Sequence, residues 1–300
     1  MENCIHEHGR WGRGDQLGAG HLLTPERTLA ALAQVKEGRI LDMSQVIENG
    51  APRIEPVQSP YYITTSNSSR NGIRRREKIG ARNGPGGNLE RIEMTTHVGT
   101  HIDALGHYTI GDRMHGGYSA ELTVDDWGLV NLGIEHAPAM VTRGVAVDVS
   151  GLDGGQFLEA GRALGRDDVR RALDKAGVEL RAGDVFCMHT GWGRFFMTDN
   201  RRYVAGEPGL DLGAAEWLTA QDVAAIGVDN MAVEVIPGTR HPEIMMPVHQ
   251  HCLAEAGVYL IENLVLDGVI AAGLNTFCFV LLPVKFKGAT GSPARPIALV

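Results

Sequence analysis

Five short, almost continuously apolar segments constrain the fold of this chain most strongly. They span residues 145–150, 184–189, 224–229, 258–261 and 277–284. A strand that is apolar on both faces belongs in a sheet that is covered on both sides, whereas a half-exposed strand alternates. Segments with helical periodicity separate several of these strands. The order of strands and helices therefore predicts an α/β protein in which helices flank a buried sheet.

Capping residues mark some of the predicted helices. Thr24 can cap a helix that starts at Pro25 and ends before Gly38, and Gly177 can end a helix that starts near Asp168. Further helices are expected over residues 213–218 and 247–256. Additional strands are expected at residues 40–44 and 91–96, and the second of these leads into a group of histidines.

The length and composition indicate one large domain. Of the 300 residues, 43% are hydrophobic, so the chain can bury a sizeable core, and no repeat or linker divides it. We expect a single domain over residues 1–300 with an extended N-terminal arm of about 24 residues.

The net charge and the cysteines limit which binding partners and which cellular compartment are expected. The net charge of −8 argues against a nucleic-acid partner, because such proteins need an excess of Lys and Arg. The three arginines at 74–76 are expected to lie in a solvated loop, with substrate capture or subunit contact as the alternative. The four cysteines have no close spacing, which predicts free thiols in a reducing compartment. Because no apolar segment is long enough to cross a bilayer, we expect a cytoplasmic protein without a membrane partner.

A cluster of ionisable residues lies between positions 97 and 107. His97, His101, Asp103 and His107 are all separated by even numbers of residues. Side chains an even number apart on an extended strand share one face, whereas a helix would turn Asp103 away from the histidines. Gly99 holds the position between the first two histidines on that face and leaves room there. The spacing therefore predicts that the four side chains converge from one strand.

The cluster has the composition of a metal site. Imidazole and carboxylate are common ligands of Zn, Mn and Fe, and three such ligands leave positions free for water and substrate. Adjacent buried ionisable groups are costly unless they are paired or bind a metal. His107 is placed to transfer protons, because the ordinary pKa of histidine is near 6.5. An open catalytic site for a divalent ion is expected.

Other uses of the cluster remain open at this point. His101, Asp103 and a distant histidine could form the facial triad of a non-haem Fe(II) oxygenase, although those jelly-roll proteins are dominated by strands. A cyclase, a dehydratase or a binding protein without turnover could also use this site. The presence of His107 argues against an inactive protein. It does not separate hydrolysis from ring closure or water elimination, since all three need a Lewis acid and a proton shuttle.

The residues of the cluster also carry a resemblance to a known family. The segment from His97 to Asp103, together with His107, resembles the signature of the cyclase-like metal-dependent hydrolases, the family of bacterial kynurenine formamidase and isatin hydrolase. Further segments that resemble the family are residues 41–44, 190–192, 257–264 and 288–293. The resemblance covers most of the chain from about Asp15 onward.

The resemblance implies a fold, a reaction and roles for the four residues. It implies a swivelling β/β/α domain with a mixed, partly barrel-like sheet flanked by helices, assembled as a homodimer or homotetramer. His97, His101 and Asp103 become ligands of Mn²⁺ or Zn²⁺, and His107 becomes the catalytic proton donor and acceptor. The implied reaction is hydrolysis of an amide, a lactam or a lactone in a small, cyclic or aromatic substrate. Metal-bound hydroxide is expected to attack the carbonyl group while His107 moves the proton.

One departure from the family pattern bears on the number of ions. The resemblance implies that members with two ions have a histidine twelve residues before the glutamate that corresponds to Glu262. In this chain Gln250 holds that position, with His249 and His251 beside it. A single ion is therefore expected, as in the isatin hydrolase branch, with Gln250 as a further ligand or a contact to bound water. A shift of one residue in the helix would instead supply a histidine to a second site.

Other side chains are weaker candidates for the substrate pocket. The aromatic and histidine candidates are Trp11, Tyr61, Tyr62, His189 and Trp192. His189 ends a predicted strand, where α/β folds often place pocket residues, but a structural hydrogen bond is the alternative. Asp229 and Glu234 follow the next strand and are expected to be solvated loop carboxylates.

Overall fold

A curled sheet of nine strands organises the computed structural model, which describes residues 3–238 and 243–300. In chain order the strands are β1 (Ile40–Asp42), β2 (Tyr62–Asn67), β3 (Leu89–Glu93), β4 (His101–Asp103), β5 (Val124–Asp125), β6 (Gly128–Leu129), β7 (Met140–Asp148), β8 (Ala163–Leu164), β9 (Val185–His189), β10 (Gly209–Leu210), β11 (Ala225–Val228), β12 (Tyr259–Glu262), β13 (Thr276–Leu281), β14 (Gly291–Pro293) and β15 (Ile297–Leu299). The large sheet has the order β1-β15-β13-β7-β9-β11-β12-β4-β14.

Helices connect and flank these strands. They are α1 (Pro25–Leu32), α2 (Ser69–Glu77), α3 (Ala120–Thr123), α4 (Arg166–Ala176), α5 (Asn200–Ala205), α6 (Leu212–Ala220), α7 (Pro247–His249) and α8 (Asp267–Ala271). Helix α7 continues without interruption into a π-helix, Gln250–Ala256. Within the described ranges, no helix is both long and apolar enough to span a membrane.

The centre of the sheet confirms the α/β architecture. Strands β7, β9, β11 and β12 run parallel to their neighbours in this group, and every residue of β9 and β11 is buried. Continuously apolar strands therefore lie where both faces of the sheet are covered, as their sequences predict. Strands β13 and β4 add to the parallel group in antiparallel orientation, which makes the sheet mixed. Four central parallel strands exclude the antiparallel jelly roll of the oxygenase alternative.

The capped helices form where the sequence predicts them. Thr24 accepts a hydrogen bond from the backbone N–H of Arg27 at the start of α1, although the helix ends at Leu32, several residues before Gly38. Helix α4 buries Val169, Ala172 and Leu173 against the sheet and ends at Gly177, which adopts the left-handed conformation. Each helix thus covers the sheet with one apolar face.

The segment expected to be a solvated loop around the three arginines is instead folded. Strands β2 and β3 form a separate two-stranded antiparallel ribbon, and α2 lies between them in the chain. Arg74, Arg75 and Arg76 occupy the last turn of α2, where positive charge is favourable. This ribbon and its helix, residues 62–93, are called the basic projection below.

Candidate metal centre

Two tight turns, rather than one long strand, bring the four residues of the cluster together. Only His101, Ile102 and Asp103 are in β4. Gly99 has a φ of +68°, and a Cβ atom there would lie 2.7 Å from Cγ1 of Ile47, so this position requires glycine for its turn and its close packing. A second turn, closed by the backbone hydrogen bond from His107 to Ala104, returns His107 to the same side. The expectation of one continuous strand face was wrong, although the side chains do converge.

The ligand atoms of the cluster surround the carboxylate of Asp103. Its Oδ1 lies 2.9 Å from Nδ1 of His97 and 3.4 Å from Nε2 of His101. Its Oδ2 lies 3.6 Å from Nε2 of His249. Glu262 closes the opposite side, with one oxygen 3.2 Å from Nε2 of His101 and the other 3.1 Å from Nε2 of His249. Three imidazoles and two carboxylates therefore meet in one buried space.

A one-residue irregularity in the last helix explains how His249 reaches this space. The sequence pattern places Gln250, not His249, at the helical position expected for a ligand. Residues Gln250–Ala256 form a π-helix, which accommodates one more residue than an α-helix over the same path. His249 is therefore turned toward Glu262, while the Gln250 side chain donates to the carbonyl oxygen of Thr109. The reason for expecting a single ion, a glutamine in place of a histidine, does not hold in the folded protein.

Hydrogen bonds on the outer side of each imidazole fix its orientation. Nδ1 of His101 donates to the carbonyl oxygen of Gly99, which can only accept, so Nε2 faces the carboxylates. Nδ1 of His249 bonds Oε1 of Glu234 at 2.7 Å. Nε2 of His97 contacts the Thr290 hydroxyl at 2.9 Å, which leaves Nδ1 directed at Asp103. Such outer partners are typical of histidines that bind metals.

The space between the carboxylates has the electrostatics of a cation site. Both oxygens of Asp103 and Nε2 of His101 are buried without a partner in hydrogen-bonding geometry. Burial opposes protonation of His101 and His249, but their carboxylate neighbours outweigh it and raise the pKa of each to about 10. Protons on these imidazoles are thus held where a metal cation would replace them. Two groups of ligand atoms lie close to one another. One group belongs to His97, Asp103 and His107, and the other to His101, Asp103 and Glu262.

His107 differs from the other three histidines of the cluster. Its ring stacks on that of His97 with centroids 4.1 Å apart, and its nitrogens make no hydrogen bond within the described part of the chain. Burial lowers the pKa of His107 to about 3; His97 and His249 act in the same direction, while Asp103 opposes the shift. At neutral pH the imidazole of His107 is therefore uncharged, and its nitrogens are free to hydrogen-bond a bound molecule.

Three residues near the cluster escape sequence reasoning. Glu234, expected to be a solvated loop carboxylate, is only 3% exposed and also accepts the backbone N–H of His249. Thr290 comes from the opposite end of the chain. The Tyr108 ring lies 4.7 Å from that of His249, and burial together with Glu234, Glu262 and Asp103 raises the pKa of its hydroxyl to about 12. The local signals are the adjacency of Tyr108 to His107 and the position of Thr290 in the segment 288–293, which resembles the family.

The other expected pocket residues have different environments. Trp192 is 1% exposed and belongs to a hydrophobic cluster with Val98 and Tyr203, so it cannot line an open pocket. Tyr61 packs against the same cluster, whereas Tyr62 is exposed on the basic projection. Trp11 donates to the carbonyl oxygen of Ala256.

Three further candidates, two histidines and one carboxylate, have structural partners. His251 contacts the Thr219 hydroxyl and Glu255, away from Asp103. His189 pairs with Asp148 at 2.9 Å at the end of its strand. Asp229 accepts hydrogen bonds from the backbone and hydroxyl of Thr190 and therefore anchors the turn that follows β9. Glu234 also lines an apolar cavity of about 450 Å³, which contains none of the histidines of the cluster.

Comparison with known sequences finds a matching family model and similar proteins. The sequence model described as "putative cyclase" matches residues 41–235. Cyclase-like protein 2 of Oryza sativa subsp. japonica is 28% identical over 228 residues, which is 72% of this chain and 67% of that protein. Kynurenine formamidase of Geobacillus thermodenitrificans is 24% identical over 257 residues, which is 85% of this chain and 94% of that protein.

Solved structures share the fold over most of the chain. A structure described as a novel cyclase superposes with a TM-score of 0.84 at 28% identity and covers 97% of this chain and 98% of its own. Isatin hydrolase A from Ralstonia solanacearum superposes with a TM-score of 0.65 at 21% identity and covers 92% of this chain and 97% of its own. At that identity the second likeness concerns the fold.

Proposed function

Since this chain belongs to the putative cyclase family, we propose that it is a metal-dependent hydrolase that cleaves an amide or lactam bond in a small, cyclic or aromatic substrate. The observation that carries the proposal is the buried meeting of three imidazoles and two carboxylates beside a fourth, hydrogen-bond-free imidazole. The kynurenine formamidase relative, whose name denotes hydrolysis of a formamide, supports the reaction class.

The donor atoms fit divalent metal ions. In a tetrahedral site with Zn–N bonds near 2.0–2.1 Å, neighbouring donor atoms are about 3.4 Å apart, and the closest separations around Asp103 are 2.9, 3.4 and 3.6 Å. His97, His101 and Asp103 would hold one ion, and His249, Glu262 and Asp103 would hold another. Binding would draw each set together, because the mutually close ligand atoms are those of His97, Asp103 and His107, and of His101, Asp103 and Glu262. We therefore propose two ion positions, for Mn²⁺ or Zn²⁺, in place of the single one expected from the sequence.

Some residues of the cluster would hold the metal ions, whereas His107 transfers protons. A bound divalent ion would supply a Lewis acid that polarises the substrate carbonyl and lowers the pKa of water. His107 accepts a proton from the attacking water molecule and delivers it to the leaving nitrogen as the carbon–nitrogen bond breaks. The new carbon–oxygen bond leaves a carboxylate product and a free amine. Glu234 and Thr290 keep the imidazoles of His249 and His97 aligned during this exchange.

Tyr108 is suited to position the substrate. Its ring lies 5.0 Å from that of His107, and its hydroxyl makes no hydrogen bond within the described residues. Because the pKa of this hydroxyl is raised to about 12, it stays protonated at neutral pH and can donate to the substrate carbonyl oxygen.

A hydrolysis screen tests the proposed reaction. Cyclic amides, N-formyl aromatic amines and lactones are incubated with Mn²⁺-loaded and Zn²⁺-loaded protein, and products are identified by mass. With the native protein we expect hydrolysis of at least one substrate, seen as a ring-opened product heavier by one water molecule or, for an N-formyl amine, as the free amine and formate. His107→Ala should lower the rate by about 10²–10⁴-fold. A product that has lost water would assign the site to a dehydratase or cyclase, and no conversion in any reaction would remove the support for hydrolysis.

We also propose that the protein forms a homodimer or homotetramer. The basic projection exposes apolar side chains on both faces of its ribbon, and a two-stranded ribbon is only marginally stable without further packing. A partner surface is therefore needed beyond what the described residues of one chain supply.

A further inference from the structure

The basic projection combines positive charge with exposed apolar side chains. Its residues 62–93 include seven basic and three acidic side chains, a net charge of +4, while the remainder of the chain has a net charge of −12. Ile63, Ile79, Leu89 and Ile92 are all exposed. Arg70, Arg74 and Lys78 are spaced along one face of α2 and are exposed. Their side chains make no ion pair within the part of the chain that the structure describes.

A second surface has the opposite charge and a similar apolar content. We call residues 121–130, which contain strands β5 and β6, the acidic hairpin. It has three acidic residues, Glu121, Asp125 and Asp126, and no basic residue. Its apolar side chains are exposed, with Trp127 89% accessible at the turn and Leu122, Val124 and Val130 around it. A nearly fully exposed tryptophan among apolar neighbours is typical of an interface anchor.

Both surfaces are attached close to the candidate metal centre. Strand β3 of the basic projection ends at Glu93, four residues before the ligand His97. On the acidic hairpin, the N–H of Leu129 donates to the carbonyl oxygen of Gly288, two residues before Thr290, which contacts the His97 imidazole. A molecule that covers these two surfaces would also lie at the edge of the site.

We propose that the basic projection of one copy of this chain packs against the acidic hairpin of a second copy. In a two-fold symmetric pair the contact forms twice, because each copy supplies one projection and one hairpin. Apolar side chains on both surfaces are covered, and opposite charges meet at the rim of the contact. The proposal rests on the self-association proposed above and names its surface, but it does not depend on the reaction.

Charge reversal on each surface tests the contact. Two full-length variants are compared with the native protein by sedimentation velocity: Arg70→Glu/Arg74→Glu/Lys78→Glu on the projection, and Glu121→Lys/Asp125→Lys/Asp126→Lys on the hairpin. We expect each variant alone to dissociate, with the dissociation constant raised at least tenfold, because like charges then face each other in both contacts. An equimolar mixture of the two variants restores opposite charges in both contacts and should associate again.

Two controls separate this contact from a general loss of folding or charge. Arg166→Glu/Arg170→Glu reverses exposed charges on α4, and Leu29→Asp replaces an exposed apolar residue on α1. Both variants should sediment with the same assembly mass as the native protein. Circular dichroism checks that each reversed variant is folded. A monomeric native protein, variants that remain associated, or a mixture that fails to associate would each overturn the proposal. An active native monomer would overturn the contact and leave the proposed hydrolysis standing.

Discussion

Replacing Glu234 with glutamine should weaken the His249 ion position selectively. The Glu234 carboxylate accepts from Nδ1 of His249 at 2.7 Å and from the backbone N–H of His249 at 3.0 Å, and it is 3% exposed. Glutamine keeps the size and one acceptor oxygen but removes the charge that makes the imidazole more basic. Loss of such an outer partner typically lowers metal affinity by about 10–100-fold, or about 1.4–2.8 kcal/mol.

Calorimetric titration of the metal-free protein with Zn²⁺ or Mn²⁺ measures the effect of Glu234→Gln. We expect two binding events in the native protein and a loss of affinity in only one of them in the variant. Thr290→Val is the matched comparison, because it removes the partner of His97 and should weaken the other event, whereas Thr290→Ser should retain affinity. Equal weakening of both events by Glu234→Gln, or no weakening, would refute the assignment of His249 as a ligand with its own ion.

Three further substitutions test other parts of the structure. His107→Ala should retain native metal content and lower turnover by about 10²–10⁴-fold, as measured by metal analysis and product formation; full activity would exclude its role in proton transfer. His189→Gln tests a half-buried ion pair. Burial lowers the pKa of His189, but Asp148, Asp267 and Asp229 outweigh it and raise that pKa to about 10. The raised pKa stabilises the folded protein at pH values below the ordinary value of 6.5, and this stabilisation is lost as the pH rises toward 10. In urea unfolding the variant should therefore be about 1–2 kcal/mol less stable than the native protein at pH 6, a figure reduced because the carboxylates are exposed. The two proteins should be equally stable near pH 10. A difference in unfolding free energy that is constant from pH 6 to pH 10 would contradict this pairing. Gly99→Ala should cost about 1–3 kcal/mol in the same assay, because its φ of +68° and the nearby Ile47 side chain disfavour a Cβ atom; unchanged stability would show that the turn relaxes.

The sequence predicts which residues form the centre better than it predicts how they meet. Even spacing selects His97, His101, Asp103 and His107, yet only two of them lie in β4. Their convergence depends on the positive φ at Gly99 and on the turn before His107, which a pattern of period two does not contain. Composition and spacing predict which residues meet, while the local geometry follows from tertiary packing.

Residues distant in the chain limit the prediction further. Counting back from Glu262 selects Gln250, because a regular helix is assumed, whereas the π-helix turns His249 toward Glu262. Glu234 and Thr290 reach the centre only through the folding of the sheet. The segment 288–293 resembles the family, but its sequence does not indicate that Thr290 contacts His97.

Surface elements are also poorly predicted by composition. The polar, glycine-rich segment around the arginines suggests a loop, but it forms a ribbon and a helix. By contrast, the continuously apolar strands are assigned correctly, because burial of both faces leaves a strong signal in the sequence. The prediction is therefore most successful where hydrophobic burial determines the structure.

Anomalous diffraction from crystals of Mn²⁺-loaded protein, recorded at the manganese edge, tests the metal centre most directly. We expect two peaks that share Asp103, one bounded by His97 and His101 and the other by His249 and Glu262. A single peak on the first group would contradict the second ion position. The absence of any peak within ligand distance of Asp103 would contradict the assignment of this cluster as a metal centre.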